Sequence, residues 1–127
     1  MSSIKKPRIL MVEDDISLAN AYMTRLVAED FEVLHCPDGQ EALQITLDYK
    51  PELVLLDIMI PSISGLDLLD MIRNTPELDG IKVIMLTALG LPSDQKKAKE
   101  LGADDYMIKS QVVVADVVKK IRYHLLN

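Results

Sequence analysis

Apolar and polar positions along the chain follow two periods in turn, and each change of period marks an element. Residues 8–13, RILMVE, form an apolar run that stops at Glu13, Asp14 and Asp15, the pattern of a strand buried on both faces. Ala19, Tyr22, Met23 and Leu26 then fall at i, i+3, i+4 and i+7, one face of an amphipathic helix. FEVLHC (31–36) reads as a second strand, and Asp38 with Glu41 as a capping box that opens a second helix closed by Pro51. LVLL (53–56) is a third strand that runs straight into Asp57. Ser64 and Asp67 offer caps for a third helix, which carries Leu66, Leu69 and Ile72 and ends near Pro76. IKVIML (81–86) is a fourth strand, and SDQKKAKEL (93–101) a weakly amphipathic, lysine-rich helix with Gly102 at its left-handed C-terminal position. After the short strand DYMI (105–108), Val114, Val117, Val118, Ile121 and Leu125 make a long stripe that predicts a last helix docked on the sheet.

Strands alternating with helices imply right-handed crossovers and a parallel sheet covered on both faces, an α/β architecture. The 127 residues are enough for one such domain, 1–127, and 49% hydrophobic against 27% charged residues is the balance of a chain that buries a shared core. The net charge of −6 argues against direct grip on a nucleic-acid backbone. No apolar run approaches the length of a membrane span and the N-terminus lacks a signal-peptide core, so a cytoplasmic location without membrane attachment is expected. Cys36 stands alone and is read as a space-filling residue, as the seven methionines are read as core packing.

The chemistry is concentrated where strands end. In open parallel sheets the working site lies beyond the carboxyl ends of the strands, at the reversal of strand order. Strand one ends in Glu13, Asp14 and Asp15, strand three in Asp57, strand four in Thr87 and Ala88, and strand five in Lys109. If strand one lies between strands two and three, the acids converge, and carboxylates so close either raise one another's pKa or recruit a cation. An all-oxygen set suits Mg²⁺, which commonly takes a phosphate as well. Thr87 supplies a hydroxyl and Lys109 a compact positive charge for such a phosphate, which leaves Asp57 as the nucleophile.

Four segments in order resemble the receiver domain of two-component response regulators: ILMVEDD its acidic pair, DIMIPSISG its phosphoacceptor segment, Thr87-Ala88 its pair after strand four, and GADDYMIK its strand-five lysine motif. The resemblance covers essentially the whole chain and implies a flavodoxin-like (βα)₅ sandwich with strand order 2-1-3-4-5. It implies Asp57 as phosphoacceptor from a histidine kinase or histidine phosphotransfer protein. It further implies Glu13, Asp14, Asp57 and the Met59 carbonyl around Mg²⁺, with Thr87, the Ala88 amide and Lys109 on the phosphoryl group. Thr87 and Tyr106 would be the switch pair, remodelling the surface of helix four, strand five and helix five, where Lys96, Lys97, Lys99, Tyr106 and Lys119 sit. Such a protein catalyses only its own phosphorylation and dephosphorylation and signals to a downstream protein or output domain. Whether it is a stand-alone regulator or a receiver cut from a longer protein, and whether phosphorylation makes it dimerise, is left open.

Two departures stand out. Ser110 follows Lys109 where the family usually has a proline in a cis bond, and since a cis bond before a non-proline costs roughly 3–4 kcal/mol, a trans bond and a differently shaped loop are expected here. Met59 and Leu89, at positions that tune phosphoryl lifetime in the family, are both apolar and predict slow loss of the phosphoryl group. Three other readings compete. An aspartate-nucleophile, Mg²⁺-dependent phosphohydrolase of the haloacid dehalogenase kind would place an acid two residues after Asp57, where Met59 stands. A flavin or nucleotide binder would carry a glycine-rich loop after strand one, and none follows. A phosphorylation-independent pseudo-receiver would not need all of its site residues. His35 and His124 have no apparent ligand set and are read as structural.

Overall fold

The computed structural model describes residues 5–127. Five parallel strands, β1 (Arg8–Val12), β2 (Glu32–Cys36), β3 (Leu53–Leu56), β4 (Lys82–Thr87) and β5 (Asp105–Ile108), form one sheet in the order β2-β1-β3-β4-β5. The helices are α1 (Ile16–Ala28), α2 (Gly39–Tyr49), α3 (Gly65–Arg73), α4 (Pro92–Glu100) and α5 (Val114–Leu126). The expected flavodoxin-like order is therefore observed, and strand order reverses between β1 and β3.

The inner strands β1, β3 and β4 bury both faces because their residues alternate between two cores. Ile9, Met11, Leu53, Leu55, Ile84, Leu86 and Met107 meet Ala19, Tyr22 and Leu26 of α1 and Val117, Val118 and Ile121 of α5. Leu10, Val12, Val54, Leu56, Val83 and Met85 meet Ala42 of α2, Leu68, Leu69 and Ile72 of α3 and Ala98 of α4. Apolar runs without alternation are the sequence of a sheet sandwiched in this way. The stripes predicted for the first and last helices are the faces that pack, except that Met23 at the edge of the first is only half-buried and joins neither core.

The helix ends depart from expectation in small ways. Asp38 caps α2 by accepting the Gln40 N–H at 2.9 Å, one residue earlier than a full capping box requires, and Glu41 simply adds negative charge in the first turn. Ser64, not Asp67, caps α3 by accepting the Leu66 N–H at 3.2 Å. Gly102 takes the left-handed φ of +103° beyond α4, with Gly102 N–H to Lys99 and Ala103 N–H to Ala98 carbonyls at 3.0 Å each, a Schellman closure. Among the described residues no peptide bond is cis. Lys109-Ser110 is thus trans, and residues Lys109–Gln111 form a short 3₁₀ turn.

Candidate functional site

The strand tips are bound to one another before any side chain is considered. Beyond the regular ladder the Glu13 N–H donates to the Cys36 carbonyl and the Asp57 N–H to the Val12 carbonyl, both at 3.1 Å, so the ends of β1, β2 and β3 form one rim. His35 reinforces it from β2, its Nε2 lying 2.5 Å from the Glu13 carbonyl oxygen. The start of α3 presses on the same rim: the Gly65 N–H donates to the Ile58 carbonyl at 2.9 Å, and a Cβ on Gly65 would stand 2.0 Å from the Asp57 carbonyl oxygen. Only glycine allows that approach.

On this rim Glu13 and Asp57 are almost fully buried, at 2% and 4% exposure, while Asp14 is exposed. Carboxylate oxygens of all three lie within 4.8 Å of one another. Lys109 arrives from the end of β5, donating from Nζ to Asp57 Oδ2 at 2.7 Å and resting 2.6 Å from Glu13 Oε1. The second contact is an ion pair and not an aligned hydrogen bond, so Glu13 Oε1 remains without a hydrogen-bond partner. The other oxygens are held by backbone: Asp15 N–H to Glu13 Oε2 at 3.0 Å and Met59 N–H to Asp57 Oδ1 at 3.1 Å.

Burial pushes the Glu13 carboxyl above its ordinary 4.5, a rise that Lys109 and the Asp15 N–H only partly offset. Burial by itself would lower Lys109, yet the Asp57 and Glu13 carboxylates outweigh it and hold the ammonium above its ordinary value. Three carboxylates against one ammonium leave the cluster at −3 + 1 = −2 when ionised. A half-satisfied buried carboxylate and a deficit of two charges in an all-oxygen set fit a hard divalent cation.

Thr87 and Ala88 sit one strand further along. Thr87 pairs with Ile108, the residue before Lys109, so the threonine and lysine emerge from adjacent tips. The Thr87 side chain is buried and its Oγ1 accepts the Leu89 N–H at 3.3 Å, whereas Ala88 is exposed. The structure thus brings Glu13, Asp14, Asp57 and Lys109 into one cluster and places Thr87 on the neighbouring tip. Tyr106 stands apart from the cluster: its hydroxyl donates to the Leu89 carbonyl at 2.7 Å, and burial pushes its pKa up, which keeps that donor protonated. The trans loop does not prevent Lys109 from reaching both acids.

Four large apolar side chains are exposed on segments at this end of the sheet: Ile16 opening α1, Met59 after β3, Leu91 before α4 and Val113 before α5. His124, read from sequence as structural, lies 2.8 Å through Nε2 from Asp105 Oδ2, an oxygen it shares with Lys120 Nζ at 3.3 Å. It ties α5 to β5 away from the strand tips. Sequence reasoning missed His35 and the Leu89 backbone as parts of the site, and it carried Gly65 only as the last residue of the phosphoacceptor segment, without its close packing on β3. For His35 a signal existed, since the pairing of β2 with β1 sets it level with Met11, two residues from Glu13.

Comparison with known proteins agrees with this geometry. Residues 9–122 match the family model described as response regulator receiver domain. A probable transcriptional regulator, ycf27, of Cyanophora paradoxa is 42% identical over 106 residues, covering 84% of this chain and 43% of that protein. The phosphate regulon transcriptional regulatory protein PhoB of Rhizobium meliloti (strain 1021) is 39% identical over 103 residues, 81% of this chain and 45% of PhoB. The chain therefore spans less than half the length of these curated relatives. Among solved structures, the BeF3-activated N-terminal receiver domain of Klebsiella pneumoniae RstA superposes with a TM-score of 0.88 at 32% identity, covering 94% of this chain and 99% of that one. A response regulator of Chloroflexus aurantiacus reaches 0.90 at 29% identity over 97% of this chain and 100% of that one. Among the described residues no helix is long and apolar enough to cross a membrane. With its strand order, its acidic rim and this match over most of its length, the chain belongs to the response regulator receiver domain family of two-component signalling.

Proposed function

We propose that the chain is a phosphorylation-controlled switch in which Asp57 accepts a phosphoryl group from a phosphohistidine of a sensor kinase or histidine phosphotransfer protein. The observation that carries the reading is the pairing of a nearly buried Asp57 with Lys109 at 2.7 Å inside a cluster short of two positive charges. An anion approaches an anion only where charge is supplied, and Lys109 supplies part of it. Glu13, Asp14 and Asp57, with the Met59 carbonyl, would hold Mg²⁺, whose charge would offset what Lys109 leaves uncompensated.

In the transfer, an Asp57 oxygen forms the new O–P bond as the N–P bond of the donor breaks, and the electron pair of that bond returns to the imidazole nitrogen, which takes up a proton. Lys109 shifts its ammonium from the aspartate to the transferred group, and Thr87 and the Ala88 N–H become donors to it. Thr87 then releases the Leu89 N–H. Because Tyr106 grips the carbonyl of the same residue, the change passes to α4 and β5, whose surface carries Lys96, Lys97 and Lys99, with Tyr106 beside them and Lys119 on α5. States that differ in these contacts are biased by phosphorylation alone. The exposed apolar residues around the rim favour a protein as the donor. The names of the relatives support an output that controls transcription, carried by a part of the regulator outside this chain.

The test is intact mass after incubation with Mg²⁺ and acetyl phosphate. Wild type is expected to gain one phosphoryl group, and Asp57→Ala none. A gain in the variant, or none in either protein, would overturn the proposal. Steady turnover of the phosphodonor without an adduct would instead favour the phosphohydrolase reading.

A further inference from the structure

The four contacts of Arg73 and the uneven attachment of α4 belong together. Arg73, in the last turn of α3, donates from Nε to the Gly102 carbonyl at 2.9 Å and from Nη1 to the Ile81 carbonyl at 2.6 Å. Its Nη2 donates to Asp104 Oδ2, also at 2.9 Å. Asp104 Oδ2 in turn accepts the Val83 N–H at 2.8 Å. Its stem lies along Gly102, where an added Cβ would stand 3.0 Å from Arg73 Cγ. One side chain therefore joins the end of α3, the entry to β4 and the turn between α4 and β5.

That turn is the lower end of α4, and it is closed tightly. The Schellman bonds of Gly102 and Ala103 finish the helix, and the Asp104 N–H donates to the Val83 carbonyl at 2.8 Å. The rest of α4 is held weakly. Of its nine residues only Ala98 is buried. Its first turn has no side-chain cap and begins at the exposed Leu91 and Pro92. The upper end meets the site through residues 88–91, where the Leu89 N–H rests on Thr87 Oγ1 and the Leu89 carbonyl on the Tyr106 hydroxyl.

We propose that α4 is a lever whose C-terminal end is pinned by the Arg73 clasp on Gly102 and Asp104, so that a change at Leu89 swings its N-terminal end. The role of Leu89 in signalling rests on the function proposed above; the pinned end does not. The clasp sits at the end of the sheet opposite the acidic rim, where β4 and β5 begin, so Arg73 is a positioning residue and not part of the phosphoryl-transfer machinery.

Amide hydrogen exchange read by mass spectrometry on the full chain tests both halves. In the unloaded wild type, the segment 98–103 is expected to exchange slower than 88–95. Arg73→Met, which keeps stem volume and removes the donors, is expected to speed 98–103 by about tenfold or more, with Arg73→Lys in between. Loading with acetyl phosphate and Mg²⁺ is expected to change protection in wild type at 88–95 and leave 98–103 as it was, whereas in Arg73→Met both segments change. Both variants should still gain one phosphoryl group by mass. Unchanged exchange at 98–103 in Arg73→Met, or an equal response of both segments in loaded wild type, overturns the lever. If no protein gains mass, the proposed phosphorylation fails while the unloaded comparison still decides the pin. If Arg73→Met does not fold, Arg73→Lys and Asp104→Asn carry the comparison, and 98–103 exchanging as in wild type in both overturns it.

Discussion

At the scale of single residues, Lys109 and Glu13 form an unequal pair. Lys109 donates to Asp57 and stands against Glu13 as an ion pair of less favourable geometry, so the more buried acid keeps one oxygen without an aligned hydrogen bond. An incoming phosphoryl group that draws Lys109 away leaves Glu13 more dependent on a cation, which couples the two proposed ligands of the site. Met59 and Leu89 bear on what happens next. Leu89 packs its side chain against the core on the α2 and α3 side of the sheet, whereas Met59 is 59% exposed beside Asp57, to whose Oδ1 its own N–H donates. Met59 is therefore an exposed apolar neighbour of Asp57, and its side chain offers an attacking water no hydrogen bond. The phosphorylated protein is expected to decay with a half-life of minutes or longer, and Met59→Asn, which can hold a water, to shorten it. Decay followed by intact mass checks both, and loss within seconds in wild type would remove Met59 as the cause of slow turnover.

At the scale of elements, the rim depends on how closely α3 approaches β3. Gly65→Ala would push a methyl group into the Asp57 backbone, with the Cα of Ile58 also 2.7 Å from the new atom, and backbone cannot rotate away as a side chain can. The expected cost is about 2–4 kcal/mol in urea unfolding, with phosphoryl uptake lost or slowed even where the fold survives; a loss below about 0.5 kcal/mol, the size of an ordinary surface change, would show that the helix start can slide. This approach was not legible in the sequence, because a glycine after Ser64 fits a turn equally well. The strands and their tips were legible, since each apolar run of β1, β3 and β4 stops at a polar residue of the proposed site, and the order of those tips carried the family resemblance. The Arg73 clasp was hidden, because an arginine in a last helical turn reads as a favourable cation near the dipole. The link from Thr87 through Leu89 to Tyr106 was hidden for a deeper reason: it runs through a backbone amide and carbonyl, which every residue type possesses.

At the scale of the whole molecule, the sheet gathers charge where folding would not choose it. The chain carries −6 overall, and about a third of that excess is the −2 of one rim, two of whose three acids are buried. Glu13 makes the cost depend on pH. Its folded pKa is raised above the ordinary 4.5, so the stability it allows is fully present below that value and is lost as pH rises through the folded pKa. A divalent cation that binds the folded rim returns this stability by mass action, about 2.7 kcal/mol when free ion exceeds the dissociation constant a hundredfold. For a chain of this length each kcal/mol moves the melting temperature by about 3–5 °C. Mg²⁺ is therefore expected to raise the melting temperature by several degrees at pH 7 and progressively less as pH falls toward 4.5, with EDTA reversing the effect. Asp14→Asn, which removes the exposed carboxylate and leaves the Lys109 pairs in place, should shrink the Mg²⁺ response while leaving the metal-free protein as stable as wild type or more so, since one like charge is gone. A Mg²⁺ shift equal at pH 5 and pH 7, or unchanged in Asp14→Asn, would mean that the ion binds elsewhere and that the rim bears its negative charge uncompensated.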